Sequence, residues 1–312
     1  MMSKVLVTGV DGFTGRYMAA ALAAQGHEVH GLVHHLHGQS VLGVTALHEA
    51  GLADAAAVLS VVQEVQPQRV AHLAAIAFVG HGNAQAMYTT NLLGTRNLLE
   101  ALSAAETAPE SVLLASSANI YGNGTEGVLD EQTPAAPAND YAVSKLAMEY
   151  LARLYASRLP IIVSRPFNYT GVGQDESFLL PKIVAHVKRA APVIELGNLH
   201  VARDFSDVRM IVQAYLRLLE TPAAVGQTFN VCSGRAHTLT EVLDLVREVS
   251  SRDFEVRVNP AFVRANEVKM LLGTRAKLET CIGRLEAFEL RETLRWMLES
   301  PLTPRYGLNG RS

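Results

Sequence analysis

Cysteine is nearly absent: Cys232 and Cys281 are the two among 312 residues. Two thiols so far apart give neither a disulfide framework nor the paired spacing of a metal site, so a reducing, cytoplasmic compartment is expected. No uninterrupted apolar run reaches the roughly 18 residues that span a bilayer, so no membrane partner is expected. No secretory leader is expected either, because the first apolar strand starts almost at once and leads into a glycine loop. Neither sign of charge dominates. The formal net charge is −3, and no general basic surface for nucleic acid is implied. Internal repeats and low-complexity tracts are missing too, apart from an alanine-rich bias. What remains is ordinary for a soluble α/β protein with a sizeable core, at 49% hydrophobic and 18% charged residues.

The N-terminus carries the first positive signal. Lys4-Val5-Leu6-Val7-Thr8 suits a buried parallel strand. It runs into Gly9-Val10-Asp11-Gly12-Phe13-Thr14-Gly15 and then into apolar residues at helical spacing, Tyr17, Met18, Ala21 and Leu22. Gly9 permits the tight turn, Gly12 lets backbone approach a pyrophosphate, and Gly15 lets the helix pack close to the strand. The helix N-terminus then faces the negative charge. A dinucleotide site is expected here.

The second signal is Tyr141-Ala142-Val143-Ser144-Lys145, 24 positions after Ser117. Four residues is about one helical turn, so phenol and ammonium share a face. A free tyrosine titrates near pH 10, too high for acid–base work at neutral pH. The ammonium is expected to lower that value. With Ser117 bonding the same substrate oxygen, the three groups form a proton-transfer device for an alcohol/ketone pair.

Organisation follows a strand–helix rhythm over the first two thirds. Expected strands are Val5–Thr8, Val29–Val33, Val70–Leu73, Val112–Ala115 and Ile161–Ser164, and expected helices are Arg16–Gln25, Ala55–Val65, Tyr88–Ala104 and Tyr141–Ser157. The rhythm predicts an α/β fold, a Rossmann-type doubly wound parallel sheet with ligands at the carboxyl ends of its strands. Residues 1–165 read as the dinucleotide-binding domain, with 207–232 returning to it through a helix, Asp207–Glu220, and a strand, Gln227–Cys232. Residues 166–206, loop-rich with one helix near Leu180–Arg189, and 233–312, with a helix at Leu239–Ser250, read as a smaller C-terminal α/β substrate-binding lobe.

These features resemble the extended short-chain dehydrogenase/reductases that act on nucleotide sugars. The resemblance covers nearly the whole chain and includes His72-Leu73-Ala74-Ala75, the run Asn91 to Glu100, and Ser116-Ser117-Ala118-Asn119-Ile120-Tyr121-Gly122. Arg165-Pro166-Phe167-Asn168-Tyr169-Thr170-Gly171-Val172-Gly173-Gln174 looks like a stretch of the reductases acting on GDP-4-keto-6-deoxy-D-mannose, from which Tyr169 and Val172 depart. Gly197 to Val208, Phe229 to Gly234 and Arg264-Ala265-Asn266-Glu267-Val268 are similar to segments of the same reductases, with Ala265 in place of a proline.

The resemblance implies Ser117, Tyr141 and Lys145 as catalytic residues. It implies Gly9, Gly12, Phe13, Gly15, Arg16, His34, Leu52, Leu73, Ala74, Ala75, Tyr141 and Lys145 around the cofactor. Ser117, Asn119, Asn168, Lys182, Arg203, Arg264 and Glu267 are implied as contacts to a nucleotide sugar, GDP-linked by preference. Arg203 and Arg264 can fork onto diphosphate oxygens, Lys182 can add a point charge, and Glu267 can accept from ribose hydroxyls. The implied activity is NAD(P)H-dependent reduction of a C4 ketone to a GDP-6-deoxyhexose such as GDP-D-rhamnose, in deoxysugar biosynthesis. The alternatives are a 4-epimerase with tightly held cofactor and, more remotely, a 4,6-dehydratase. Related dehydratases carry a carboxylate just after the Ser117 position; Ala118 and Asn119 stand there, and an amide cannot be that base. A homodimer through the helices at Tyr88–Ala104 and Tyr141–Ser157 is also implied.

Cofactor choice turns on the second strand. It ends in His34-His35 with no acid to mark NAD, and Arg16 can approach the same corner. NADP(H) is favoured and NAD(H) remains open. In the adenine loop Leu52 and Asp54 match the family, whereas Gly51 replaces its usual acid. His34, His35 and His37 lack a nearby carboxylate or cysteine in sequence, so no metal is expected. Trp296 is read as packing.

Overall fold

The computed structural model describes residues 2–36, 38, 40–77, 83–122, 127–263 and 270–301. β1 (Lys4–Thr8) leads into α1 (Phe13–Ala24), followed by β2 (Glu28–Val33), β3 (Ala46–Glu49), α2 (Ala55–Val65) and β4 (Arg69–His72). A helical stretch runs through α3 (Ala84–Tyr88), a π turn (Thr89–Leu93) and α4 (Gly94–Ser103). Next come β5 (Ser111–Ala115), a 3-10 turn (Ala118–Tyr121), β6 (Val128–Leu129) and α5 (Asp140–Arg153). β7 (Ile161–Pro166), β8 (Asn168–Thr170), α6 (Leu179–Lys188), β9 (Val193–Leu196) and β10 (Ala202–Asp207) follow. The chain continues with α7 (Val208–Glu220), β11 (Thr228–Val231), β12 (Ala236–Thr238), α8 (Leu239–Ser250), β13 (Glu255–Val258), β14 (Met270–Gly273), α9 (Ala276–Ile282) and α10 (Leu290–Glu299).

The main sheet has seven strands in the order β11-β7-β5-β4-β1-β2-β3. Every pairing in it is parallel. Its central strands are apolar on both faces because both are covered. Val5 and Val7 face one layer with Met18, Leu22, Ile211 and Tyr215. Leu6 faces the other with Val58, Val62, Leu98 and Leu102. That alternation is the strand's period of two. The Rossmann-type α/β architecture expected from the rhythm is therefore present. The strand order reverses between β1 and β4, and ligands of such sheets bind outside the carboxyl ends at that switch point.

Smaller sheets pair β12-β10-β14-β6, with β8 on β10, and β13 with β9. A separate apolar cluster joins α6, α8 and α10 through Leu180, Ile183, Val242, Leu243 and Leu294. Among the described residues no helix is long and apolar enough to cross a membrane.

Several expectations change. The edge strand β3 was not expected from the pattern: its residues are half-buried or exposed, so no strong alternation marks it. The single helix expected over Tyr88–Ala104 carries a π turn, whose cause lies in the site described below. The helix at Tyr141 ends at Arg153 rather than Ser157. The stretch expected to be loop-rich with one helix also contributes β8, β9 and β10.

Trp296 packs as expected. Its ring meets Tyr17 of α1 edge-on at 6.1 Å, and the Arg209 guanidinium lies 4.1 Å from its centroid. Asp207 holds that guanidinium at 2.7 and 2.9 Å. The ring thus ties α10 to α1 and α7. Trp296→Ala is expected to lower unfolding free energy by about 2–4 kcal/mol. Denaturant titration followed by far-ultraviolet circular dichroism measures it, since the only tryptophan is lost.

Candidate active site

The glycine loop is shaped by contacts rather than by freedom alone. Gly9 sits at φ +66°, and a Cβ there would stand 2.8 Å from Ala74 Cα. A Cβ on Gly15 would fall 2.1 Å from the Gly9 carbonyl, so α1 starts directly against the turn. Gly12 is the N-cap of α1. No side chain caps that end, and its first turn holds no acid. Uncapped N–H groups at a helix start suit a pyrophosphate.

The ends of β1 and β4 are clasped by side chains. Thr8 Oγ1 lies 2.7 Å from His72 Nδ1 and accepts from the Ala74 N–H at 3.2 Å. His72 Nε2 lies 2.8 Å from Thr95 Oγ1, whose hydroxyl donates to the Asn91 carbonyl. The imidazole therefore donates through Nε2 and accepts through Nδ1. Burial, with Lys145 adding to it, pushes His72 down to about 3, so the ring is neutral. Asn91 Oδ1 accepts from the Ile76 N–H, and its amide donates to the Ile76 carbonyl and to Ser144 Oγ. Asn91 sits inside the π turn, which aims its side chain at the segment after β4. π turns often mark such functional bends.

The trio expected from the sequence is brought together. Ser117 follows β5, is buried, and accepts from the Asn119 N–H at 3.1 Å. Tyr141 and Lys145 lie on the buried face of α5, whose start is capped by Asn139. The Ser117 hydroxyl lies beside the Tyr141 phenol. Lys145 Nζ donates to the Ala115 carbonyl at 2.7 Å.

One electrostatic expectation is corrected. The Tyr141 phenol is held above its ordinary value, not below it: burial raises it, the Ser117 hydroxyl opposes, and nearby Tyr169 adds to the rise. Lys145, the partner that the sequence suggested, is not among the groups that move it. Burial also pushes Lys145 down, to about 8, against the opposing field of Glu149.

Other expected site residues are spread around this centre. Phe13 stacks on Tyr169 with ring centroids 6.1 Å apart. Arg16 donates to the Gly173 carbonyl at 3.4 Å. His34 lies against Gly51 and packs on His35 at 4.1 Å between centroids. Leu52 is buried, with its carbonyl accepting from Asn97 at 2.8 Å, while Asp54 caps α2. Leu73, Ala74 and Ala75 follow β4 and are half-buried. Asn168 is half-buried on β8, paired with Phe205. Lys182 donates to the Glu195 carbonyl at 2.9 Å, with its ammonium 4.0 Å above the Phe262 ring. Arg203 is buried on β10 and donates to the Ala202 carbonyl. Arg264 and Glu267 lie outside the described residues. Among the described residues no cluster of His, Cys, Asp and Glu could hold a metal.

Sequence reasoning gave no role to the Thr8–His72–Thr95 clasp, to the hydroxyl pair Thr14–Tyr169 at 2.8 Å, or to Glu149. Glu149 had a readable signal. It stands four residues past Lys145, an acid on the same face of a helix whose face must be buried.

The model of the GDP-mannose 4,6 dehydratase family matches residues 6–297. The chain belongs to this family of extended short-chain dehydrogenase/reductases. It is 32% identical to a GDP-6-deoxy-D-talose 4-dehydrogenase of Aggregatibacter actinomycetemcomitans over 90% of this chain and 91% of that one. It is also 32% identical to a GDP-6-deoxy-D-mannose reductase of Pseudomonas aeruginosa, over 96% and 97%. A solved structure from Burkholderia cenocepacia J2315, named a putative epimerase, is 51% identical, covers 95% of this chain and 97% of its own, and has a TM-score of 0.87. RMD from Pseudomonas aeruginosa, solved with NADPH, is 30% identical over 96% and 97%, with a TM-score of 0.81. Like its family, the chain is an NAD(P)-dependent enzyme, and the uncapped start of α1 fits the dinucleotide's phosphates. Gly15→Ala is expected to weaken NADPH binding by at least about tenfold, because its Cβ must push α1 off the Gly9 carbonyl. Fluorescence titration of NADPH measures this.

Proposed function

We propose that the enzyme reduces the C4 ketone of GDP-4-keto-6-deoxy-D-mannose to the alcohol, forming GDP-D-rhamnose. What carries this reading is the likeness to two relatives named for GDP-6-deoxy sugars, together with Ser117 after β5 and Tyr141 and Lys145 on the buried face of α5. A protonated phenol beside Ser117 can donate to a developing alkoxide. Ala118 and Asn119 also leave the adjoining positions without a carboxylate base.

Reduced nicotinamide, when bound, supplies hydride to carbon 4. Ser117 holds the carbonyl oxygen, Tyr141 gives it a proton, and Lys145 donates to the nicotinamide ribose. The names of the two relatives at 32% identity support a GDP-linked 6-deoxy sugar. We assign substrate contacts to Asn119, Asn168, Lys182, Arg203, Arg264 and Glu267, and the sugar-binding lobe to residues 166–206 and 233–312. NADPH is the preferred donor in this reading. β2 ends without an acid, and Glu49, at the neighbouring end of β3, is engaged by the Leu36 N–H at 2.8 Å and by His35 at 3.4 Å.

Offering GDP- and dTDP-linked 4-keto-6-deoxy sugars with NADPH tests the reaction. The GDP sugar should be reduced with equimolar loss of NADPH, and NMR of the product reads the configuration at C4. Sugar turnover without cofactor loss would mean an epimerase. Tyr141→Phe should lose about 10²–10⁴-fold in kcat while binding NADPH normally; full activity would remove the phenol from the mechanism.

A homodimer fits the exposed side of α5 and the π turn before α4. Val143, Tyr150 and Leu154, at helical spacing along α5 and its C-cap, are 39%, 57% and 72% exposed, and Leu93 of the π turn is 49% exposed. Leu154→Glu is expected to shift the protein from dimer to monomer in sedimentation velocity; a parent chain that sediments as a monomer would end this part of the reading.

A further inference from the structure

A buried polar network underlies the loop that carries Ser117. The Glu149 carboxylate, 3% exposed, accepts from Arg165 Nη2 at 2.7 Å and Nε at 3.0 Å. It also accepts from Ser116 Oγ at 2.6 Å. Arg165 reaches on to Tyr121 Oη at 2.9 Å and the Glu131 carbonyl at 3.1 Å. Tyr121 in turn donates to Asn230 Oδ1 at 2.7 Å. Ser116 and Tyr121 bracket Ser117 in sequence, so one ion pair grips that loop from both sides. The same carboxylate lies one helical turn past Lys145.

We propose that Glu149 is a positioning residue for the reaction: anchored by Arg165, its carboxylate keeps the buried Lys145 ammonium charged and, through Ser116, sets the position of Ser117. This rests on the role given to Lys145 above and extends it to the residue that keeps the lysine usable.

The alternatives for that anchor are few. Arg165 faces both carboxylate oxygens of Glu149, Nε on Oε1 and Nη2 on Oε2, so the carboxylate is tied down by a two-pronged ion pair. Among the described residues, the other groups facing Lys145 bring no negative charge. His72 on the β4 side is neutral, Tyr141 is a protonated phenol, and the Ala115 carbonyl offers only a dipole. Around Arg165 the further titratable neighbours are Tyr121, raised to about 12 chiefly by burial, and Glu131, which meets Arg165 through its backbone carbonyl. Among the described residues, Glu149 is the charge that opposes the effect of burial on Lys145.

The sign of the consequence follows. The Lys145 value lies below that of a free lysine, at about 8, so the ammonium is present below that pH and is lost as pH rises through it. Removing the Glu149 charge lowers the value further. In Glu149→Gln, the alkaline fall of NADPH affinity, and of kcat/KM with the keto sugar, should begin about one pH unit lower than in the parent chain. Glu149→Asp, which keeps the charge, should hold the fall where it is. Ser116→Ala should lower kcat without moving it.

Glu149→Gln leaves Arg165 buried without its partner and can fail to fold. Glu149→Gln/Arg165→Met removes both charges at similar volume and reads the same fall. A fall that stays at the parent's pH in these folded variants, judged by circular dichroism, overturns the proposal. So does a fall that Ser116→Ala shifts equally, which would make it a matter of packing. A parent chain that binds NADPH but reduces no keto sugar ends the proposed reaction alone, since the binding curve still reads Glu149.

Discussion

The Thr8–His72–Thr95 clasp is the constraint on which the site depends. At the switch point β1 and β4 feed chain in opposite directions, and nothing in a parallel ladder fixes how their ends part. One neutral imidazole does so, receiving the Thr8 hydroxyl and giving its own proton to Thr95 on α4. The Ala74 N–H is held by the same Thr8 oxygen, which brings that backbone within van der Waals contact of Gly9. Glycine is then required for both space and a left-handed φ. The dinucleotide turn, the segment after β4 and the start of α4 are thereby fixed to one another before any ligand is considered.

From this clasp the order runs outward. Thr95 holds the Asn91 carbonyl, and Asn91 holds Ile76 and Ser144, the residue before Lys145. A second network, from Glu149 through Arg165 to Tyr121, supports the Ser117 loop from the opposite side. Tyr141, Lys145 and Ser117 are thus held by two buried polar networks that meet at α5. Such networks are costly when incomplete, and in these two the groups named find partners in side chains or backbone.

Much of the main sheet was legible because local and tertiary demands agree there. α2 was read at its true bounds: Asp54 caps its start, and Gln66 at φ 47° closes its end. The strands β1, β4 and β5 are short apolar runs buried on both sides. The second lobe was less legible. β8 has three residues and β10 is buried along its length despite Arg203, Asp204, Ser206 and Asp207, so neither shows alternation. The π turn was hidden for a different reason: Asn91 is pulled by partners 15 and 53 residues away, which no local pattern records. In the site, helical spacing paired Tyr141 with Lys145, and the family resemblance located Ser117. It could not reveal burial, and burial reversed the direction in which the phenol moves.

The first turns of α1 hold more than the glycine loop. Thr14 bonds the Tyr169 hydroxyl, Tyr17 the Val172 carbonyl and Arg16 the Gly173 carbonyl. Tyr169 itself lies on β8, which pairs with β10, the strand of Arg203. The helix that would cradle one ligand is therefore stitched to the stretch expected to face the other. An engineer who grafts a foreign nucleotide-gripping loop onto this scaffold would move the sugar end with it. Retargeting either half in isolation means first re-sewing these three threads.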